Sequence, residues 1–189
     1  MSTGALLLAA ALGLVALNLY DEQQAALCAA SVLSELTQDL PDEKAAAPAG
    51  EAGLADPAMD GLEIDGHSYI GVVELPSLGL SLPVMDSWSY PNLKIAPCRY
   101  TGSAVDGSLI IAGHNYKSHF GGLSRLSRGD PVYFTDVDGQ VYAYTVEETE
   151  TIGGTDVEEM EAGDWDLTLF TCTYSGQSRA TVRCRRELS

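Results

Sequence analysis

A thiol, an imidazole and a guanidinium fall in this chain where strand ends would present them. Cys172 closes the run Asp166-Leu167-Thr168-Leu169-Phe170-Thr171-Cys172, and Tyr174-Ser175-Gly176 then turns the chain. A thiol at a strand end is held by a rigid sheet yet open to a substrate, which suits a nucleophile. The competing fate of such a cysteine is a buried structural thiol. His114 follows Leu109-Ile110-Ile111-Ala112-Gly113; Gly113 would let the backbone turn so that the ring projects from the sheet rim. A cysteine nucleophile and a histidine base, distant in sequence and close in space, form a recurring pair. Arg179 opens the last apolar run, seven residues after Cys172. A tight turn would return it to the thiol, where a guanidinium can donate to a developing oxyanion or anchor a peptide carbonyl. His67 and His119 read as surface or helix-start residues, and Arg183, Arg185 and Arg186 as solvated strand-face or tail charges.

The elements that must position these groups are short strands. Runs at Tyr69–Leu75, Leu80–Met85, Leu109–Gly113, Val132–Asp136, Gln140–Glu147, Asp166–Cys172 and Ala180–Arg186 are separated by turn signals such as Asp106-Gly107, Asp138-Gly139 and Ser175-Gly176. Tyr133 to Val141 has the pattern of a hairpin on its Asp-Gly turn. Helical signals are brief, near His119–Leu126 and Val157–Ala162. Seven or eight strands in a stretch of this length point to a sandwich or a closed barrel.

Ahead of the strands lie two unlike segments. Gly4–Leu19 is apolar apart from Asn18, and Tyr20 then stands at a plausible interface. It reads as an uncleaved membrane anchor over residues 1–20, with a cleaved signal peptide as the rival. Met1, Ser2 and Thr3 supply none of the basic residues that a signal favours. Residues 21–65 hold 11 acids and one base. Apolar positions Leu27, Val32, Leu33, Leu36 and Leu40 have helical spacing up to Pro41. An Ala-, Pro- and acid-rich tether follows. Residues 66–189 are then the folded domain.

Composition removes several functions. The 189 residues carry 27 acids against 10 bases, a net charge of −17, which repels phosphate backbones and makes nucleic acid an unsuitable partner. No GxGxxG or GxxxxGK[ST] is present. The four cysteines have no zinc spacing. The acids from Glu147 to Glu159 lack an EF-hand pattern and read as a solvated loop. No metal or cofactor is expected. Cys98 and Cys184 read as packed free thiols, with a disulfide between them as the alternative.

Thr168-Leu169-Phe170-Thr171-Cys172 resembles the TLxTC signature of the sortases, membrane-anchored cysteine transpeptidases of mainly Gram-positive bacteria. Ala112-Gly113-His114-Asn115 resembles the family's strand-end histidine motif, and Arg179 falls where the family's arginine follows the cysteine. Gly79–Val84 and Tyr100–Ser103 keep the family's order, so the similarity covers about Gly66 to Arg186.

The resemblance implies a mainly β protein. Its core would be an eight-stranded closed sortase β-barrel with short helices, behind a transmembrane helix and linker, with Cys172, His114 and Arg179 meeting at one rim. It implies that the Cys172 thiolate attacks an LPxTG-like sorting signal and that Arg179 holds the oxyanion or the signal's backbone. His114 would protonate the leaving amine and deprotonate the incoming one. The acyl-enzyme would pass to an amine such as a peptidoglycan cross-bridge or a pilin lysine. Thr171, Asn115 and Tyr174 are substrate-side candidates, Thr171 through its backbone; Trp88 and Tyr116 are candidates for a peptide groove. The site would lie outside the cell on a single-pass anchor.

A lid of the pilin-polymerising type would lack its aromatic plug, because Ala58 follows Asp56-Pro57. The short connection from Gly153 to Asp164 disfavours the typical class B insertion, although His114-Asn115 is B-like. A small class D-like or otherwise unclassified member fits best. Two alternatives stay open: a hydrolytic cysteine peptidase with the same site, and a non-catalytic tethered barrel that binds peptides.

Overall fold

One sheet that meets itself organises the chain. The computed structural model describes residues 2–39, 59–173 and 176–187. In chain order the elements are α1 (Ser2–Asp39), β1 (Leu62–Ile64), β2 (His67–Leu75), β3 (Leu80–Met85), α2 (Tyr90–Leu93), β4 (Cys98–Thr101), β5 (Leu109–Gly113), β6 (Pro131–Asp136), β7 (Val141–Gly153), α3 (Val157–Glu161), β8 (Leu167–Cys172) and β9 (Ser178–Arg186). Single 3-10 turns lie at Pro76–Leu78 and Leu123–Arg125. The order β2-β3-β4-β5-β8-β9-β7-β6 returns to β2 through the pairing of Gly71–Glu74 with Tyr133–Asp136, so eight strands close a barrel. β1 pairs antiparallel to β2 outside that closure. Closure gives each of the eight strands a neighbour on both sides, β3 and β4 through the single Met85–Cys98 bridge.

The sequence pattern explains the interior. On β7, Tyr142, Tyr144 and Val146 are buried while Val141, Ala143 and Thr145 are half-exposed, the period-2 signature of a strand with one wet face. The hairpin into β7 is tied by Asp136. Its carboxylate accepts the N–H groups of Asp138 and Gln140 at 3.1 and 2.8 Å and the Tyr142 hydroxyl at 3.1 Å. Gly139 takes the left-handed conformation (φ 79°) that the turn needs. Val73, Val84, Leu109, Ile111, Phe120, Phe134, Leu167, Leu169 and Val182 fill the central core.

Two smaller apolar layers lie apart from this core. Val32 and Leu36 of α1 pack with Ile64, Tyr69, Val72, Met85, Ala96 and Cys98. Ile110, Ala112, Ile152, Phe170 and the α3 residue Met160 form the other.

Several elements differ from the sequence reading. β4 was not among the strand candidates: it is four residues long, with a single parallel bridge to β3 and a shifted register against β5. Its chain carries too little alternation to register as a strand. The sheet also starts at Leu62, ahead of the expected start at 66, and Met59 joins the core.

The apolar anchor and the following amphipathic segment form one unbroken helix, about 57 Å long at 1.5 Å per residue. A span within Leu6–Thr37 is long and apolar enough to cross a membrane. Leu6, Leu7, Leu8, Leu12, Leu14, Leu17 and Leu19 are exposed around the helix, which suits a lipid environment. Its C-terminal half docks through Ala25, Ala29, Val32 and Leu36. Leu27, expected on the apolar face, is 65% exposed, because the small Ala25 and Ala29 face the barrel and carry the close approach. Leu40, Pro41, the Ala/Pro-rich tether and the Asp56-Pro57 lid position lie outside the described residues.

Candidate active site

Strand register assembles the site. β5 and β8 run parallel with Gly113 beside Thr171, so His114 and Cys172 leave neighbouring strand ends. β8 and β9 run antiparallel with Cys172 directly opposite Arg179. Alternation along β8 sends Leu167 and Leu169 into the central core, while Phe170 joins the layer with Met160. Cys172 shares the Phe170 face by period 2 and is exposed. The thiol therefore opens onto the outer wall of the barrel at its rim.

Three contacts fix the Arg179 guanidinium. Nη1 donates to Cys172 Sγ at 3.0 Å and Nη2 donates to the Gly154 carbonyl at 3.0 Å. The Phe170 ring lies beneath, 5.6 Å from the guanidinium carbon to its centroid. A planar fork held this way is preorganised to meet negative charge developing beside the sulfur. Gly154 closes against the β9 side by donating to the Gln177 carbonyl at 2.9 Å. A Cβ at Gly154 would sit 2.9 Å from that same oxygen.

A cavity of about 170 Å³ adjoins the thiol. Trp88, Tyr90, Leu93, Tyr100, Phe170 and Met160 give it an apolar wall, and Cys172, Arg179 and Asp156 give it polar groups. The Trp88, Tyr100 and Phe170 rings meet in sequence at tilted or edge-on angles, with centroids 6.2 and 5.4 Å apart. The cavity is an apolar bowl with a few convergent polar groups beside a strand-end thiol.

His114 is half-buried on the loop after β5. Its ring stacks on Tyr116, with centroids 3.8 Å apart and planes 17° apart. Nδ1 is buried without a hydrogen-bond partner among the described residues. Burial holds the imidazole below its ordinary pKa; the Asn115 side chain opposes that shift, Lys94 adds to it and Asp21 opposes it. Gly113 has an ordinary backbone here, contrary to the expected turning role. It must be glycine because a Cβ would run into the Phe120 ring.

The structure sorts the other site candidates. Thr171 is 4% exposed, and its hydroxyl is buried without a partner among the described residues, on the strand face opposite Cys172. Asn115 is half-buried beside His114. Tyr174 lies outside the described residues. Trp88 lines the cavity, whereas Tyr116 stacks behind the histidine.

Two readings need correction. His119 is fully buried, packed under the loop against Tyr116. Arg183 is also buried: it pairs with Glu150 at 2.7 Å and donates to the Glu159 and Met160 carbonyls at 2.7 Å each. It thereby ties α3, one wall of the cavity, to the sheet. The sequence reading also passed over Phe170 and Gly154. Phe170 was findable, since period 2 places it on the Cys172 face; Gly154 had no local signal.

All four cysteines are free thiols, so Cys98 and Cys184 form no disulfide. Burial pushes each of these two up to about 12.

The Sortase domain family matches residues 73–187 of this chain. Sortase A of Listeria monocytogenes is 31% identical over 114 residues, covering 57% of this chain and 51% of that protein. The chain spans about half the length of the curated relatives it matches. Sortase C of Clostridium perfringens aligns in structure with a TM-score of 0.56 and 26% identity, over 63% of this chain and 70% of that one. A structure of C. perfringens sortase C with the C-terminal cell wall sorting motif aligns with a TM-score of 0.55 at 24% identity, over 63% and 70% of the two chains. The strand-end motifs around His114 and Cys172 fall inside the matched domain, and the closed barrel is the one those structures share: this chain belongs to the sortase family.

Proposed function

We propose that the protein is a membrane-anchored cysteine transpeptidase that cleaves an LPxTG-like sorting signal and joins the acyl fragment to an amine. The observation that carries this is the Arg179–Cys172 contact at 3.0 Å, at the mouth of the apolar cavity. Cys172 gives its thiol proton to His114; the thiolate then attacks the scissile carbonyl carbon, and Arg179 donates to the oxygen as it gains charge. As the C–N bond breaks, His114 gives its proton to the leaving amine, and a thioester remains on Cys172. The acceptor amine then attacks the thioester carbonyl, His114 takes a proton from it, and the C–S bond breaks to return the thiolate. The cavity's aromatic wall would seat the signal's apolar residues, with Asn115 on the histidine side. The Thr171 backbone, beside the reacting carbonyl, is the part of that residue available to substrate.

The anchor would be the apolar half of α1, with the barrel on the outer face of the membrane. The signal-bound C. perfringens relative supports a sorting-motif substrate. The acceptor, a peptidoglycan cross-bridge or a pilin lysine, would enter from the histidine side.

The test is the full chain in detergent, mixed with LPxTG-like peptides and oligoglycine and read by intact mass. The expected products are a thioacyl adduct on Cys172 and a peptide–glycine amide, both abolished by Cys172→Ala. Arg179→Ala should lower kcat about 100-fold or more, as removal of an oxyanion donor does. Transfer that survives Cys172→Ala unchanged would end the proposal.

A further inference from the structure

We propose that Glu22, on the docked half of α1, is a positioning residue for His114. It acts through the loop of residues 114–120. The inference rests on the reading of His114 as the acid–base group.

Among the described residues the imidazole has no hydrogen-bonded partner to orient it at Nδ1, although such a third group is what usually fixes a catalytic histidine. Its orientation rests on a hydrogen bond with the Asn115 side chain and on the Tyr116 ring stacked 3.8 Å away. Tyr116 in turn is set by its own loop, where its carbonyl accepts the His119 and Gly121 N–H groups at 3.0 and 2.9 Å. The next residue, Lys117, is exposed, and its N–H takes its acceptor from α1: Glu22 Oε1, at 2.9 Å. That bond joins positions 95 residues apart.

Beneath the loop, fully buried His119 lies 5.6 Å from Tyr116, with the Ala25 backbone against its ring. Neither ring nitrogen reaches hydrogen-bond geometry with a described residue. The helix thus meets the loop at two points, one polar and one packed. Lys94 and Asp21 are the other charged groups that act on the His114 ring. Because α1 is unbroken, the helix that carries the apolar span also carries this clamp. A carboxylate acceptor makes the Lys117 bond charge-assisted. A carboxamide oxygen could keep the bond; a methyl group could not.

The experiment uses the full chain in nanodiscs, labelled with ¹³C-histidine. Glu22→Ala and Glu22→Gln are compared with Leu27→Ala on the exposed face of the same helix. His114→Gln assigns the resonance. The Tyr116 face should displace the His114 Hε1 signal upfield in the wild type, in Glu22→Gln and in Leu27→Ala. In Glu22→Ala it should move toward the free-imidazole position. In the same samples, kcat for transfer should fall about fivefold to tenfold in Glu22→Ala, with KM within about twofold. Glu22→Gln should stay within about twofold of wild type on both.

An unmoved resonance and unchanged kcat in Glu22→Ala would overturn the proposal. So would equal damage from Glu22→Gln, or a kcat loss that tracks a fall in the barrel's melting temperature. Absence of transfer in the wild type, with the resonance still responding to Glu22→Ala, would refute the transpeptidase reading and leave the positioning intact.

Discussion

Replacing Arg183 with methionine should loosen the wall of the site without touching the thiol. Arg183 lies opposite Thr168 on β9, with its side chain 3% exposed. It pairs with Glu150 and donates to the Met160 carbonyl at 2.7 Å, the Glu159 carbonyl at 2.7 Å and Thr168 Oγ1 at 3.1 Å. Methionine keeps most of the apolar stem and removes every donor. Glu150 is 30% exposed and can rehydrate, so its lost pairing adds little. The bonds to Met160 and Thr168 are buried, and each unsatisfied acceptor costs about 1–3 kcal/mol. The sum is about 3 kcal/mol, which for a domain of this size lowers the melting temperature by about 10 °C.

The wall should loosen as well, because Val157 and Met160 of α3 line the cavity. KM for the peptide should therefore rise more than kcat falls. Calorimetry of the full chain in detergent gives the stability, and steady-state transfer gives the split. A loss below about 1 kcal/mol would mean that the α3 carbonyls find other partners. A kcat loss at unchanged KM would refute the assignment of α3 to substrate binding.

Two further outcomes follow from buried groups. His119 is held neutral: burial, and secondarily the charge of His114, push it from 6.5 down to about 4. A histidine lowered in the folded state contributes its full stability above 6.5 and loses it as pH falls toward 4. Urea unfolding should show a loss of about 2 kcal/mol from neutral pH to about pH 5 from this group, and His119→Gln should flatten that slope; an unchanged slope would remove His119 as the cause. Maleimide should label Cys28 and Cys172 in the native protein and reach Cys98 and Cys184 after unfolding, since the first pair is exposed and the second buried. Fewer than four free thiols in the unreduced, denatured protein would contradict the free-thiol assignment.

The legible part of this protein was its local chemistry. Cys172, His114 and Arg179 stand at ends of runs whose alternation and turn residues mark strands, and those marks depend only on neighbours within a few residues. The Asp-Gly hairpin was readable for the same reason, and the strand count narrowed the class to a sandwich or a closed barrel. β4 was not, because its four residues gain their identity from β3 and β5.

Charge and polarity misled where partners come from afar. Arg183 reads as a solvated cation until Glu150 and the α3 carbonyls surround it. His119 reads as a surface or helix-start residue until Tyr116 and Ala25 cover it. Leu27 reads as core because helical period locates a stripe but does not say which side docks.

The sequence alone determined which residue types stand at the strand ends, the apolar run ahead of them and the acidic balance. Only the tertiary structure decided that Arg179 also reaches Gly154, that Tyr116 backs His114, and that α1 docks beside the histidine loop. Those contacts join segments up to 95 residues apart. Their geometry comes from sheet register and barrel closure, which no local window of sequence encodes.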